Sequence, residues 1–216
     1  MTSDFSFYLL GERTAVMQSN SVQIDLDCQR LIWRIAQILK DAGCCIDIVP
    51  GMNNLSAIVD PQRQSAAAML DVLRDLAEHT QALAFQSREI QIPVRYGGEY
   101  GPDLDYVAQH CQLSPAEVIA EHSKANYLVY FLGFQPGFAY MGGLATQLHT
   151  PRRAEPRLQI AAGSVGIGGS QTGIYPAASP GGWQIIGRTS LRLFDPQQAQ
   201  PSLLQPGDIV RFVVEH

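Results

Sequence analysis

Sulfur is sparse in this chain of 216 residues: four cysteines, Cys28, Cys44, Cys45 and Cys111, none at a zinc-ligand or Cys-x-x-Cys spacing. Cys44 and Cys45 are adjacent, a poor geometry for an ordinary disulfide, so four free thiols and a reducing, cytoplasmic compartment are expected. A basic excess is also missing. Fifteen Lys and Arg stand against twenty Asp and Glu, a net charge of -5, which gives no general attraction to nucleic acid or to an anionic membrane. No apolar run approaches the length that spans a bilayer. The opening "MTSDFSFYLLGERTAV" carries an early acid and lacks the cationic flank of a secretion signal. A Gly-Lys-Ser/Thr phosphate loop, a His-Glu-x-x-His pair and a Gly-x-Ser-x-Gly elbow are all absent, which removes the commonest nucleotide, zinc and serine-hydrolase signatures.

What is present falls into two textures. The first part reads as a compact α+β unit. "DFSFYLLG" and "RTAVMQ" flank Gly11 as a hairpin, and "LIWRIAQILKDAG" places Leu31, Ile32, Ile35, Ile38 and Leu39 on one helical face, with Asp25 or Asp27 as cap and Gly43 as stop. Two strands follow in "CIDIVPG" and "NLSAIVD". A second helix over "PQRQSAAAMLDVLRDLAEH" is expected to start with Pro61 in its first turn. With a further strand at "EIQIPV", this order suggests a ferredoxin-like layer. Periodicity lapses over residues 81–88, which divides the chain into an α+β domain at 1–86 and a second domain at 87–216. There, "SPAEVIAEHSK" has the capping-box spacing of Ser114 and Glu117. Short apolar strands then alternate with Gly and Pro turns, the pattern of a closed or nearly closed β-barrel with a helical insertion.

The residues that could carry chemistry lie in this second part. In "TPRRAEPR", Arg152, Arg153 and Arg157 are interleaved with Pro151 and Pro156, so a stiffened chain could aim bidentate donors at a carboxylate or phosphate; a solvated loop paired with Glu155 is the alternative. The glycines of "AGSVGIGGSQTG", among them Gly166, Gly168 and Gly169, fit either a phosphate loop or close strand approach in a barrel. His122 follows a capped helix, where it could donate to an anion, move a proton, or serve structurally. Gln171, Tyr175, Trp183 and Arg188 combine aromatic walls with polar handles, as small-molecule pockets do, and barrel core would use the aromatics equally well. The other histidines, His79, His110, His149 and His216, show no ligand spacing.

"YFLGFQPGFAYMGGL", "LHTPRRAEPRLQIAAGSVGIGGSQTGIYPAASPGGWQIIGRTSL" and "LLQPGDIVRF" strongly resemble the family that contains the B subunit of the bacterial ATP-dependent 5-oxoprolinase. The same family holds the sporulation-kinase inhibitor KipI, and it is similar to the first half of the carboxyltransferase region of urea amidolyase. "PGMNNLSAIVD", "RLIWRIAQ" and "IPVRYGGEYGPDLDYVAQHCQLSPAEVIAEHS" extend the resemblance over nearly the whole chain.

The resemblance implies a cyclophilin-like barrel at 87–216, partnership with the C and A subunits of that enzyme, and conversion of 5-oxo-L-proline to L-glutamate with hydrolysis of ATP and an accompanying divalent cation, Mg2+. Opening a stable lactam with ATP needs cations around a phosphoryl group and a clamp for the substrate carboxylate. On the matching segments, Arg152, Arg153, Arg157 and Arg188 are the candidates, with His122, Gln171 and Tyr175 as orienting or proton-handling groups. Two other functions are compatible with the family: a regulator that docks an apolar barrel patch on a sensor histidine kinase, and a carboxyltransferase component of a urea-degrading system with a biotin-carrier partner.

Overall fold

A computed structural model describes residues 4–21, 25–81 and 87–215. The boundary residues 82–86 and His216 lie outside the described residues. The chain divides into two compact units, Met1–Gln86 and Ser87–His216.

In the first unit β1 (Phe5–Leu10) and β2 (Thr14–Ser19) form a hairpin around Gly11, which takes the left-handed φ of 70° that the tight turn requires. Helix α1 (Leu26–Ala42) is capped by the Asp25 side chain, which accepts from the Cys28 amide at 2.9 Å, and stops at Gly43 in the left-handed region. Strands β3 (Asp47–Pro50) and β4 (Asn54–Ile58) follow, and α2 (Ala66–His79) closes the unit. All pairs are antiparallel, in the order β1-β2-β4-β3. The two helices bury Ile32, Ile35, Leu39, Met69 and Leu73 against Met17 and Leu55 of the sheet.

Two expectations are corrected here. The ferredoxin-like connectivity does not occur: β1, from the start of the chain, supplies the outer strand, and "EIQIPV" belongs to the second unit. Nor does Pro61 open α2. Residues 60–64 turn on the Asp60 carboxylate and carbonyl, and Ser65 is the cap, accepting from the Ala68 amide at 3.1 Å. A serine oxygen that bonds an orphan amide of the first helical turn outcompetes a proline that only presets φ.

The second unit is a closed seven-stranded barrel. Its strands are β5 (Glu89–Tyr96), β6 (Tyr127–Leu132), β7 (Ala139–Gly142), β9 (Ser164–Gly168), β10 (Gln171–Ile174), β12 (Gln184–Arg188) and β13 (Ile209–Val214), in the order β10-β7-β6-β13-β5-β12-β9, with β9 paired to β10. The β5–β13 pair is parallel and the others are antiparallel. Helices α3 (Leu104–Cys111) and α4 (Pro115–Lys124) are the helical insertion, and α4 has the Ser114–Glu117 capping box with both reciprocal bonds made. A two-stranded sheet of β8 (Arg157–Ile160) and β11 (Ser179–Gly181) lies outside the barrel order. The glycine and proline segment of residues 131–144 is the β6–β7 hairpin. Its turn places Gly137 at φ 83° and, unusually for an aromatic, Phe134 at φ 68°.

Candidate functional site

Alternation along the β9–β10 hairpin sends Val165, Ile167 and Ile174 into the barrel core and turns Gly166, Gly168 and Gly173 to its outer face. The outer face carries a second small core: Phe138, Ile160, Tyr175, Trp183 and Ile185. Trp183 lies flat against the glycines, since a Cβ at Gly168 would stand 2.5 Å from its Nε1 and one at Gly173 3.0 Å from its Cζ3. A Cβ at Gly166 would meet Ile185 and the Gln184 carbonyl, each at 3.1 Å. Gly169 is open, with φ 68°, but its amide donates to the Thr150 carbonyl at 2.8 Å. Gly166 and Gly168 therefore accommodate neighbouring side chains and Gly169 ties a turn to the arginine segment, so the phosphate-loop alternative is set aside.

The three arginines of "TPRRAEPR" separate. Arg152 is exposed and places its guanidinium 5.9 Å from the Trp183 ring centroid, a cation–π approach. Arg153 and Arg157 converge on Asp103, a buried carboxylate just before α3. Arg157 binds it bidentately, Nη1 to Oδ2 and Nη2 to Oδ1, both at 2.7 Å, and this pairing raises the guanidinium pKa. Arg153 adds one contact, Nη1 to Oδ1 at 3.2 Å. The Ile185 amide donates to Oδ2 at 2.6 Å, and the Asp103 amide donates back to the Ile185 carbonyl at 2.9 Å, fixing the acid to β12. Asp103 was not among the residues singled out from the sequence. Glu155, the expected partner, contributes only its backbone carbonyl, which accepts from Arg153 Nε at 3.3 Å.

His122 faces no solvent at all, being fully buried in the barrel. The Thr172 hydroxyl donates to the Gly166 carbonyl at 3.0 Å, so its oxygen accepts from His122 Nε2–H at 2.9 Å, while Nδ1 accepts from the Tyr96 hydroxyl at 2.8 Å. The ring stacks on Phe212 at 4.5 Å, and the Tyr127 hydroxyl donates to the His122 carbonyl at 2.8 Å. Burial pushes the imidazole down to about 3, so near neutral pH it is uncharged. The structural alternative for His122 is the one its surroundings fit.

Tyr175 is buried beside Trp183. Burial raises its phenol against the pull of a Trp183 backbone hydrogen bond and the Arg152 charge. Gln171 opens β10 opposite Gly168, half-buried. Arg188 lies 4.7 Å over the Tyr100 ring, with Arg95 on the same ring at 5.9 Å. The structure thus groups Arg152 with Tyr175 and Trp183, and Arg153 with Arg157 and Asp103. Among the described residues no hydrogen bond or ion pair joins His122, Gln171 or Arg188 to the Asp103 centre. No group of three or more His, Cys, Asp or Glu side chains is gathered for a metal ion among the described residues.

The second unit is thus a seven-stranded barrel with an external aromatic core and an arginine loop locked to a buried acid. The chain belongs to the family of the carboxyltransferase domain, subdomain C and D, whose model matches residues 5–204. Over 206 residues it is 54% identical to the 5-oxoprolinase B subunit of Escherichia coli O157:H7, covering 95% of this chain and 94% of that protein. Among solved structures, TTHA0988 superposes with a TM-score of 0.83 at 36% identity, over 95% of this chain and 40% of that one. The K. lactis urea amidolyase shares the fold at a TM-score of 0.78 and 21% identity, over 98% of this chain and 15% of that enzyme.

Proposed function

We propose that the chain is one component of an ATP-dependent 5-oxoprolinase which, with the A and C subunits of that enzyme, converts 5-oxo-L-proline to L-glutamate in the cytoplasm. One observation carries this reading: the match to the B subunit of a 5-oxoprolinase spans both proteins almost end to end at more than half identity. The barrel is then of the cyclophilin-like type, which does not imply prolyl isomerase activity, since fold alone does not carry function.

The lactam carbonyl is a poor electrophile. Transfer of the ATP γ-phosphoryl group to its oxygen releases ADP and makes the carbon open to water; the adduct collapses with cleavage of the ring C–N bond, freeing the amine and leaving an acyl phosphate, which a second water hydrolyses to glutamate and phosphate. Positive charge must face the phosphoryl oxygens and the substrate carboxylate as this happens. Arg152, Arg153 and Arg188 are this chain's candidates, beside Tyr175 and Gln171. The glycine hairpin does not fit a phosphate cradle, because Trp183 and Ile185 fill the space over Gly168 and Gly166. Nothing among the described residues nominates ligands for Mg2+. No step is therefore assigned to this chain through the cation; its contribution to the ATP site is read as the arginines named above, with the rest of that site supplied by the partner proteins.

The likeness to urea amidolyase is confined to a small part of a far longer enzyme, which places the carboxyltransferase function behind the kinase regulator as an alternative. Co-purification tests the assembly. The chain, co-expressed with the A subunit, and with the C subunit tagged, is expected to elute with both and to yield glutamate from 5-oxo-L-proline. Failure of the folded chain to bind the C subunit would argue against an enzymatic role and for the kinase regulator.

A further inference from the structure

The Asp103 centre holds one more positive charge than it needs. A carboxylate has about four lone-pair positions, and here all are taken: Arg157 and Arg153 on Oδ1, Arg157 and the Ile185 amide on Oδ2. Arg157 alone neutralises the acid with the stronger, bidentate geometry. Arg153 adds a second cation to a charge already matched, so its ion pair contributes little to stability.

Arg153 is nevertheless held from three sides. Its amide donates to the Gly182 carbonyl at 2.7 Å, its Nε to the Glu155 carbonyl at 3.3 Å, and its Nη1 to Asp103 at 3.2 Å. Pro151 and Pro156 flank the segment. These bonds leave Nη2 and one Nη1 hydrogen without a partner among the described residues, on a side chain that is 34% exposed. A guanidinium held at Nε and Nη1, with Nη2 still free to donate, has already lost the rotamer freedom that binding would otherwise remove.

We infer that Arg153 is a preset oxyanion-binding residue, that Asp103 is its positioning residue, and that Arg157 is structural, present to neutralise Asp103. The ligand is a carboxylate or phosphoryl oxyanion. In the enzyme this means the carboxylate of 5-oxo-L-proline or a phosphate of ATP, an assignment that rests on the function proposed above.

The test uses the mixture of the chain with the A and C subunits and the variants Arg153→Gln, Arg153→Lys and Arg157→Gln. Arg153→Gln is expected to melt within about 2 °C of the parent while raising the KM for one of the two ligands roughly 10- to 100-fold, the range of a lost hydrogen bond to a charged group. The ligand whose KM moves identifies the oxyanion. Arg153→Lys recovers part of the loss, as a point charge without the fork. Arg157→Gln is expected to lower the melting temperature by about 5 °C or more, because it breaks the bidentate pair on a buried acid. Unchanged KM values for both ligands in Arg153→Gln, or equal destabilisation by Arg153→Gln and Arg157→Gln, would overturn the inference.

Should the parent mixture show no turnover, the proposed enzyme function falls and the inference is judged separately. The isolated chain is then melted with inorganic phosphate and with 5-oxo-L-proline. A rise present in the parent and lost in Arg153→Gln supports it; no rise with either probe, or the same rise in both proteins, overturns it.

Discussion

At neutral pH the imidazole of His122 is uncharged and donates to one neighbour while accepting from another, and that state links stability to pH. Its folded value is about 3 against an ordinary 6.5, so the unfolded chain binds a proton first as the solution is acidified. The contribution is complete above about pH 6.5 and is lost progressively as pH falls toward the folded value, by at most about 1.4 kcal/mol per pH unit. Urea unfolding of parent and His122→Gln from about pH 7 to pH 5 isolates it. The parent curve is expected to fall more steeply with acid, and parallel curves would contradict the buried neutral ring. A second residue test concerns Gly168. An alanine Cβ would stand 2.5 Å from Trp183 Nε1, and the indole is boxed by Phe138 and Tyr175. Gly168→Ala is expected to cost about 1–3 kcal/mol, the range for overpacking, and a melting temperature equal to the parent's would show that the indole can shift freely. The glycines and arginines were visible in the sequence, but their meanings were not. Asp103 lies 50 and 54 positions from the two arginines it organises, and no local spacing records such a pairing.

Elements held by their own local chemistry were legible. Helix α1 starts at Asp25 and ends at Gly43, and α4 carries the Ser114–Glu117 box, because caps act within one turn of the backbone. Helix α4 also delivers His122 to the barrel interior, so its cap supports a buried hydrogen-bond chain. Ser114→Ala is expected to destabilise the chain by about 1 kcal/mol in chemical unfolding, and no measurable loss would mean that packing alone holds the helix. Strand β5 shows the opposite case. Its alternating pattern announced a strand, but its partner is β13, in a parallel register running from Ile209 opposite Glu89 to Val214 opposite Val94. Pairing between segments more than a hundred residues apart follows from closing the barrel, which the β5 sequence does not record. For the same reason "EIQIPV" reads as a strand of the first sheet although its partners lie in the barrel, while the outer strand of that sheet comes from the opening hairpin, a local pairing that the sequence does show.

For the molecule, two units with separate cores divide the work: the described barrel unit carries every candidate site residue, and the first unit carries none of them. The closed barrel and the turn-rich texture of 87–216 agree, while the site did not become a single cluster. It separates into an aromatic face with Arg152, a locked arginine pair on Asp103, and Arg188 on Tyr100. The most direct test is ATP hydrolysis measured with and without 5-oxo-L-proline, first in the chain alone, then with the A and C subunits added, and then with those two partners by themselves. Turnover that depends on 5-oxo-L-proline, produces glutamate and occurs only when this chain is present is the expected result. Equal turnover by the two partners without it, or none in a verified and folded complex, would contradict the proposed function.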